Sequence, residues 1–372
     1  MSEAAAIELP ELVDHIAGRR QAPALSLGNF LRDPNTGAQL AEQRATAPEA
    51  IDEALAVATR VHASGVWSSV GLEERAAVLE SLASELEKHT DALSRYDSIT
   101  TGVVISLTRK MATITALAIR AAANQLRQGW MEESFPGPHG DVKLLRKPLG
   151  PSAIISPWNA PTPITAHKLA SALAAGCPVV IKPSEWSPYS ADVLLDAVSA
   201  AGLPEGLVQL VHGAASVGGK LVKSEAMRSV SFTGGLAAGR AIGAVCGEQI
   251  KPAQLELGGN NALIVLEDAD LDLAADGVIN GMTTLNGQWC RALGRLLVHE
   301  SVQDALLVKV RERMAGVRLG SSMDDNSQMG PMVHAGHLAV LQAEIDRLQG
   351  LGGGLIRETP VPSGDGFFLP PT

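Results

Sequence analysis

Apolar residues recur at helical spacing through the first third of the chain. Leucines and alanines fall three or four positions apart between residues 72 and 86, which gives one apolar stripe along a helix. An alanine-rich stretch at 112–126 has the same character. The pattern predicts mainly helices over residues 45–130, a loop at 135–139 where Pro and Gly interrupt it, and a strand at 141–147.

After residue 150, short apolar runs alternate with helical segments. The runs that predict strands are 153–155, 178–181, 207–211, 230–232 and 254–256, and those that predict helices are 164–175, 190–201 and 237–246. Such alternation is typical of a parallel sheet with helices on both faces. Ligands of these sheets bind beyond the carboxyl ends of the strands.

A second unit is predicted after Gly258 and Gly259. Its expected elements are strands at 262–266 and 295–299 and helices at 271–285 and 302–315. Residues 360–372 are rich in Pro and Gly and end without a closing element. The predicted fold class is therefore α/β, with a Rossmann-like doubly wound parallel sheet and a second α/β domain that is incomplete at the C-terminus.

Composition narrows the choice of function. The 372 residues exceed one ordinary domain, and 46% hydrophobic with 19% charged residues is a globular profile. The net charge of −10, with no basic run, argues against a nucleic-acid partner. No apolar stretch has the length of a membrane span, and the N-terminus, with Glu3 and Glu8, lacks the basic region of a secretory signal.

The three cysteines are widely spaced. Cys177, Cys246 and Cys290 form no CxxC pair and no metal-type cluster with histidine, so no metal site is predicted. A reduced, cytoplasmic setting is expected.

Short motifs follow the predicted strands. They are Ser-Pro-Trp-Asn at 156–159, Ile-Lys-Pro-Ser-Glu at 181–185, Phe-Thr-Gly-Gly at 232–235, Glu-Leu-Gly-Gly-Asn at 256–260 and Gly-Gln-Trp-Cys at 287–290. Each is weak alone. A single Cys is usually a small core residue, a Lys at a strand end is usually a surface charge, and 234–239 does not spell the GxGxxG fingerprint.

Taken together, the motifs closely resemble those of the aldehyde dehydrogenase superfamily, in order, wording and spacing. Lys182 follows Asn159 by 23 positions, and Cys290 follows Glu256 by 34. The resemblance runs from about Asn29 to the end of the chain and implies the family's domains. These would be an NAD-binding domain at 1–138 and 149–257 with N-terminal helices, an oligomerisation-arm strand at 139–148, and an incomplete catalytic domain at 258–372.

The resemblance also implies catalytic residues. Cys290 would attack an aldehyde as a thiolate, the nucleophilic form of cysteine. The Asn159 amide and the Cys290 backbone N–H would hold the oxyanion. Glu256 would then activate water to hydrolyse the thioester, which favours a free acid over transfer to coenzyme A. Lys182 is the fourth residue assigned to the catalytic group.

The implied cofactor is NAD. The positions assigned to it are Ile155, Ser156, Pro157, Trp158, Lys182, Ser184, Glu185, Phe232, Thr233, Gly234, Gly235 and Leu257. A carboxylate at Glu185 would repel a 2′-phosphate, so NAD is favoured over NADP. Gly235 stands where the family often has serine, which removes one hydroxyl contact.

Other hypotheses stay open at this point. The family's pattern continues past Thr372, so weak activity or none is expected from this chain alone, and a homodimer or homotetramer is expected if the missing strand is supplied. A non-catalytic NAD-binding or subunit-pairing relative is the main alternative. A serine hydrolase using Ser216 is a third, and Trp289 fits a substrate tunnel or plain core packing equally well. The particular aldehyde is undetermined.

Overall fold

The computed structural model describes residues 9–372, which divide into two compact units. The first unit comprises the chain up to Asn29 together with Glu42–Tyr96 and Arg109–Glu256. The second comprises Phe30–Ala41, Asp97–Thr108 and Leu257–Thr372. Two short segments therefore cluster with the second unit and not with the residues on either side of them.

Strands and helices alternate along most of the described chain. The strands are β1 (Asp14–Ile16), β2 (Arg19–Gln21), β3 (Leu25–Arg32), β4 (Gln39–Ala45), β5 (Glu132–Phe135), β6 (Val142–Leu145), β7 (Ser152–Ile155), β8 (Val179–Lys182), β9 (Val208–Leu210), β10 (Ser229–Gly234), β11 (Ala253–Leu257), β12 (Asn261–Val265) and β13 (Leu293–Val298). The α-helices are α1 (Pro48–Ser64), α2 (Leu72–Lys88), α3 (Thr90–Thr101), α4 (Ile105–Arg127), α5 (Pro161–Ala175), α6 (Tyr189–Ala200), α7 (Ala215–Lys223), α8 (Leu236–Glu248), α9 (Leu271–Thr283), α10 (Gln303–Ala315) and α11 (Ala335–Gly350).

A seven-stranded sheet is the centre of the first unit, in the order β11-β10-β7-β8-β9-β1-β2. β10, β7, β8 and β9 are parallel, whereas β1 runs antiparallel to β9 and β2 antiparallel to β1. The predicted parallel sheet is confirmed. Because the chain moves outward from β7 in one direction to β8 and β9, and in the other to β10, the order reverses between β7 and β10. That reversal is where doubly wound sheets bind ligands.

Strand register brings the sequence motifs to one edge of this sheet. Ile155 pairs with Lys182 on one side and with Phe232 on the other. The residues that follow these three positions therefore leave the sheet next to one another, at its carboxyl edge. Three motifs that are far apart in the sequence therefore lie side by side at the carboxyl edge of the sheet.

Helices form two groups against this sheet. α2, α5 and α6 contact one another, as do α7 with α8 and with α1, which is the arrangement expected of right-handed crossovers on opposite faces. The predicted stripe on α2 is buried from Ala76 to Leu86, whereas Leu72, at the first residue of the helix, is exposed. α5 ends at Gly176, whose φ of 89° is the left-handed conformation of a helix C-cap.

The strands that the sequence pattern does not predict form mainly because they pair with other strands. β1 and β2 extend the main sheet, and β3 pairs with β4. The predicted loop at 135–139 is wrong at its first residue, because Phe135 is in β5 and pairs with Val142 of β6. The predicted strand at 141–147 is confirmed as β6.

The second unit contains the parallel pair β12–β13, covered on one face by α9 and α10. Val265, Val278, Leu306 and Val310 form its buried core. The predicted helix at 271–285 ends earlier, at Thr283, and a 3₁₀ turn follows at Thr284–Gly287. Within residues 9–372, no helix has the length and hydropathy that crossing a bilayer requires.

Candidate active site

The Ser-Pro-Trp-Asn motif joins β7 to α5 at the carboxyl edge of the sheet. Ser156 is buried, its N–H donates to the Lys182 carbonyl at 3.1 Å, and its hydroxyl lies 2.7 Å from that of Thr165. Pro161 occupies the first turn of α5, where its missing N–H costs nothing. Asn159 is half-buried two residues earlier. The turn is thus fixed at both ends. Asn159, the candidate hydrogen-bond donor to the oxyanion, lies between them.

Lys182 is fully enclosed at the end of β8. Its ammonium donates to the carbonyls of Pro183 at 2.6 Å and Gly213 at 2.7 Å, and Glu185 Oε2 lies 3.9 Å away. Burial lowers the pKa of Lys182 to about 8, and the Glu185 carboxylate opposes that shift. The two residues that were predicted to contact a ribose therefore form one charged pair.

A network behind this pair fixes the position of Gly213. The His212 Nδ1 lies 3.0 Å from Asp14 Oδ1, which also accepts the Thr46 hydroxyl at 2.7 Å. The backbone N–H of His212 donates to Thr46 Oγ1 at 2.8 Å. Asp14 of β1 and Thr46 thereby fix His212. The carbonyl of the next residue, Gly213, accepts from Lys182.

The turn from β10 into α8 has the features of an anion-binding helix start. Gly235 is the N-cap of α8 and supplies no side-chain acceptor, so the first-turn N–H groups face outward unpaired by a cap. A Cβ on Gly235 would meet no atom within 4 Å, whereas a Cβ on Gly234 would lie 2.5 Å from Phe232 Cζ. Thr233 Oγ1 is buried and has no hydrogen-bond partner within residues 9–372. An open cradle with an orphaned hydroxyl fits the pyrophosphate and ribose of a dinucleotide.

Lys168 on α5 is a residue that the motifs do not indicate, and its side chain reaches the interior of β10. Its side chain is buried, and its ammonium donates to Ser231 Oγ at 2.6 Å. Burial lowers the pKa of Lys168 to about 8, and the charge of Glu256 partly offsets the shift. A buried cation within electrostatic reach of the candidate general base is the kind of perturbed group that marks functional sites.

We expect Lys168→Met to stabilise the protein at neutral pH, because the folded state then no longer buries an ammonium. The unfolded chain titrates this lysine near 10.5 and the folded chain near 8, so only the unfolded state is protonated between these values. The free energy of unfolding of the wild type should therefore rise relative to the variant as pH increases from 8 to 10.5. We expect a rise of about 1 kcal/mol, and this value already includes the reduction by solvent screening.

Urea unfolding at pH 7, 9 and 10.5 measures this difference. Lys223→Met, at an exposed position on α7, is the control and should shift stability by less than ~0.5 kcal/mol at every pH. A wild type whose stability stays parallel to that of Lys168→Met across the range would show that Lys168 titrates normally.

Cys290 differs from the other two cysteines in accessibility. Cys177 and Cys246 are buried and Cys290 is exposed. Burial raises the pKa of the Cys177 and Cys246 thiols, which makes them poor nucleophiles. Among the three, Cys290 is thus the thiol that a substrate could reach.

The backbone before Cys290 is held in an unusual conformation. Leu285 and Asn286 have φ of 50° and 57°, a left-handed conformation that L-residues adopt at a cost of order 1 kcal/mol each. The buried Asn286 amide compensates by donating to the carbonyls of Gly102 and Pro331 at 2.8 and 2.9 Å and accepting from the Gly330 N–H at 2.8 Å. Three hydrogen bonds therefore fix the stretch that presents the thiol.

Cys290 itself is at the corner of a turn. The Ala292 N–H donates to the Trp289 carbonyl at 3.0 Å, and Asn261 Nδ2 donates to the carbonyls of Cys290 and Ala292 at 2.8 and 3.1 Å. The buried Gln288 accepts from the Val333 N–H at 3.1 Å. The Cys290 N–H has no acceptor within residues 9–372, which leaves it available to an oxyanion.

These two constructions define a class of protein. The first unit carries a doubly wound sheet whose switch point has a glycine turn and a buried lysine–glutamate pair, and the second carries an exposed thiol in a fixed turn. The combination is typical of NAD(P)-dependent oxidoreductases.

Comparison with known proteins gives the family. Residues 30–372 match the model of the aldehyde dehydrogenase family, and the chain belongs to that family. It is 32% identical to geranial dehydrogenase of Castellaniella defragrans, over 87% of this chain and 68% of that protein. It is also 32% identical to glutarate-semialdehyde dehydrogenase of Pseudomonas putida, over 82% of this chain and 64% of that protein.

The fold comparison agrees. The structure of betaine aldehyde dehydrogenase from Staphylococcus aureus in complex with NAD+ superposes with a TM-score of 0.89 at 28% identity, covering 98% of this chain and 73% of that one. The chain thus spans about two thirds to three quarters of the length of these relatives. The serine hydrolase hypothesis finds no support, and Ser216 lies exposed in the first turn of α7.

Proposed function

We propose that the chain oxidises an aldehyde to a carboxylic acid, with NAD as the hydride acceptor. The observation that carries this proposal is the presentation of Cys290. It is the exposed cysteine of the three, and it is held by Asn261 and by the left-handed stretch before it. A thiol kept accessible at the expense of backbone strain is more consistent with a nucleophile than with a packing residue.

In the proposed reaction, Cys290 Sγ forms a bond to the aldehyde carbon, and the carbonyl oxygen becomes an oxyanion. The Cys290 N–H, which has no acceptor within residues 9–372, and the Asn159 amide stabilise that charge. NAD, when bound, accepts the hydride from the same carbon, which leaves a thioester on Cys290. Water activated by Glu256 then cleaves the thioester, so that aldehyde, NAD+ and water give acid, NADH and a proton.

For the cofactor, we propose that the edge formed by β7, β8 and β10 is the binding site. Ile155 ends β7 and is followed by Ser156, Pro157 and Trp158. Lys182 ends β8 and precedes Ser184 and Glu185. Phe232, Thr233 and Gly234 end β10, and Gly235 is the N-cap of α8. Support comes from the orphaned Thr233 hydroxyl and the open N-terminus of α8. The half-buried Glu185 carboxylate beside Lys182 favours NAD over NADP, because a 2′-phosphate would meet a negative charge. Leu257 is the remaining proposed contact.

We also propose a cytoplasmic homodimer or homotetramer that assembles through the β5–β6 hairpin. The hairpin leaves Phe135, Val142, Leu144 and Leu145 about half exposed. An exposed apolar hairpin with open edges is a surface that proteins usually cover.

The three free thiols support a reducing compartment. The aldehyde dehydrogenase domains assigned to 1–138 with 149–257, to 139–148 and to 258–372 are part of the same proposal.

The test is the formation of NADH, followed by absorbance, with a panel of aliphatic, aromatic and carboxylated aldehydes. NADH formation that depends on aldehyde, with the matching acid as product, is the expected result. NADP in place of NAD should lower kcat/KM by about tenfold or more, since a like charge beside the phosphate costs over 1 kcal/mol. No NADH with any aldehyde, although NAD binds, would leave the non-catalytic NAD-binding alternative.

A further inference from the structure

Arg291 follows the proposed nucleophile and stacks on a tryptophan ring, as the buried Arg75 also does. Its guanidinium lies over the Trp289 ring, with Cζ 5.0 Å from the ring centroid. The side chain is exposed, and within residues 9–372 no carboxylate pairs with it. Some other arginines of the second unit pair with carboxylates, among them Arg311 with Glu358 and Arg347 with Glu344.

Within residues 9–372, the stacked guanidinium makes no hydrogen bond through the N–H donors at its edge. A cation–π contact occupies the flat face of the group, whereas the N–H donors point outward in its plane. Those donors match the two oxygens of a carboxylate, and the stacking on Trp289 restricts the side chain before any ligand arrives. Cys290 and Arg291 are the two corner residues of one turn, so the residue with the thiol and the residue with the cation are adjacent.

Charge makes this arrangement selective. The chain has a net charge of −10, which disfavours approach of an anion in general. The Arg291 guanidinium, which pairs with no carboxylate within residues 9–372, places a positive charge in the turn that carries Cys290. A neutral aldehyde would gain little from it, and a cationic aldehyde would be repelled.

We propose that Arg291 binds a carboxylate on the substrate, and that the substrate class is therefore an aldehyde with a carboxylate at the other end of a short aliphatic chain. This rests on the proposed function, since it assumes that Cys290 attacks the aldehyde end. Trp289 positions the guanidinium, and its ring lines the aliphatic segment. The stack on Arg291 thus gives Trp289 a role beyond core packing.

The kinetic test compares 5-oxopentanoate with its neutral methyl ester. Wild type should prefer the carboxylate by at least tenfold in kcat/KM. Arg291→Gln should raise KM for the carboxylate about 10- to 100-fold, the value of a lost charged hydrogen-bond pair, and change KM for the ester less than about twofold. Arg291→Lys should restore part of the difference, because it keeps the charge without the planar fork.

Arg295→Gln is the matched control. Arg295 is also exposed and lies four residues further on, but it donates to the Asn260 carbonyl at 3.0 Å. We expect it to alter both substrates alike. An equal effect of Arg291→Gln on ester and carboxylate, or no preference in the wild type, would overturn the proposal and leave the dehydrogenase function intact.

A second measurement does not depend on turnover. Glutarate should slow the alkylation of Cys290 by iodoacetamide in the wild type and not in Arg291→Gln. Protection without NADH formation would support carboxylate binding while the proposed oxidation fails. Equal alkylation rates with and without glutarate in both proteins would contradict the carboxylate site, whatever the activity.

Discussion

Cys290→Ala is expected to abolish NADH formation with every aldehyde, by at least about 10³-fold in kcat, because no other group in its turn can form the covalent bond to the substrate carbon. The turn itself should survive. Asn261 bonds to backbone carbonyls of Cys290 and Ala292, and Asn286 fixes the preceding stretch, and neither contact involves the thiol. NAD affinity, measured by fluorescence titration, should therefore stay within about twofold of wild type.

Cys246→Ala provides the matched control. Cys246 is buried on α8 and its thiol pKa is raised, so loss of its sulfur should leave kcat nearly unchanged while costing up to a few kcal/mol of stability. Iodoacetamide followed by mass spectrometry should label Cys290 first in the folded protein. Activity that persists in Cys290→Ala, or faster labelling of a buried cysteine, would contradict the assignment.

The parallel sheet was predictable because its signal is local. Strands buried on both faces read as unbroken apolar runs, and Ala153, Ile154 and Ile181 are all buried as such runs require. The helices between them begin and end at residues with clear conformational preferences, such as Pro161 and Gly176. β7, β8 and β9 are neighbours both along the chain and in the sheet, whereas β10 follows β9 in the chain and pairs with β7.

The N-terminal strands were not predictable in the same way. β1 is Asp14–Ile16, whose two polar residues are buried, and it exists because it pairs with β9. His15 Nε2 lies 2.5 Å from Asp192, 177 residues later. A partner that distant in sequence compensates the burial of a polar strand, and no pattern within the strand reports it. β5 is similar, since Glu132–Phe135 forms a strand by pairing with β6.

In the candidate site, too, some features are predictable from local sequence and others depend on contacts between distant residues. The motifs indicate Cys290, Glu256 and Lys182 as candidates because their neighbours in sequence carry the information. The left-handed conformation of Leu285 was invisible, since leucine has no preference for it and only tertiary contacts of Asn286 maintain it. Lys168 lies inside a helix pattern, and its burial beside Ser231 depends on strand register. Long-range contacts thus supply the geometry, whereas local motifs supply the chemistry.

Glu256→Gln should separate the two halves of the proposed reaction. The amide keeps the shape of the side chain but cannot accept a proton from water, so the thioester should form and then persist. Mixing enzyme with NAD and aldehyde should give a burst of about one NADH per Cys290, followed by a steady-state rate lower by about 10²- to 10⁴-fold. Mass spectrometry of the quenched protein should show the acyl group on Cys290.

The position of Glu256 makes this variant a clean test. Its side chain is exposed at the end of β11, so the substitution should not disturb packing. Glu248→Gln, also exposed and at the last residue of α8, should show neither burst nor slowed turnover. Added hydroxylamine should release the stalled acyl group as a hydroxamate and restore NADH formation in Glu256→Gln. A variant in which burst and steady state fall together would instead assign Glu256 to the step before the thioester, as an activator of the Cys290 thiol.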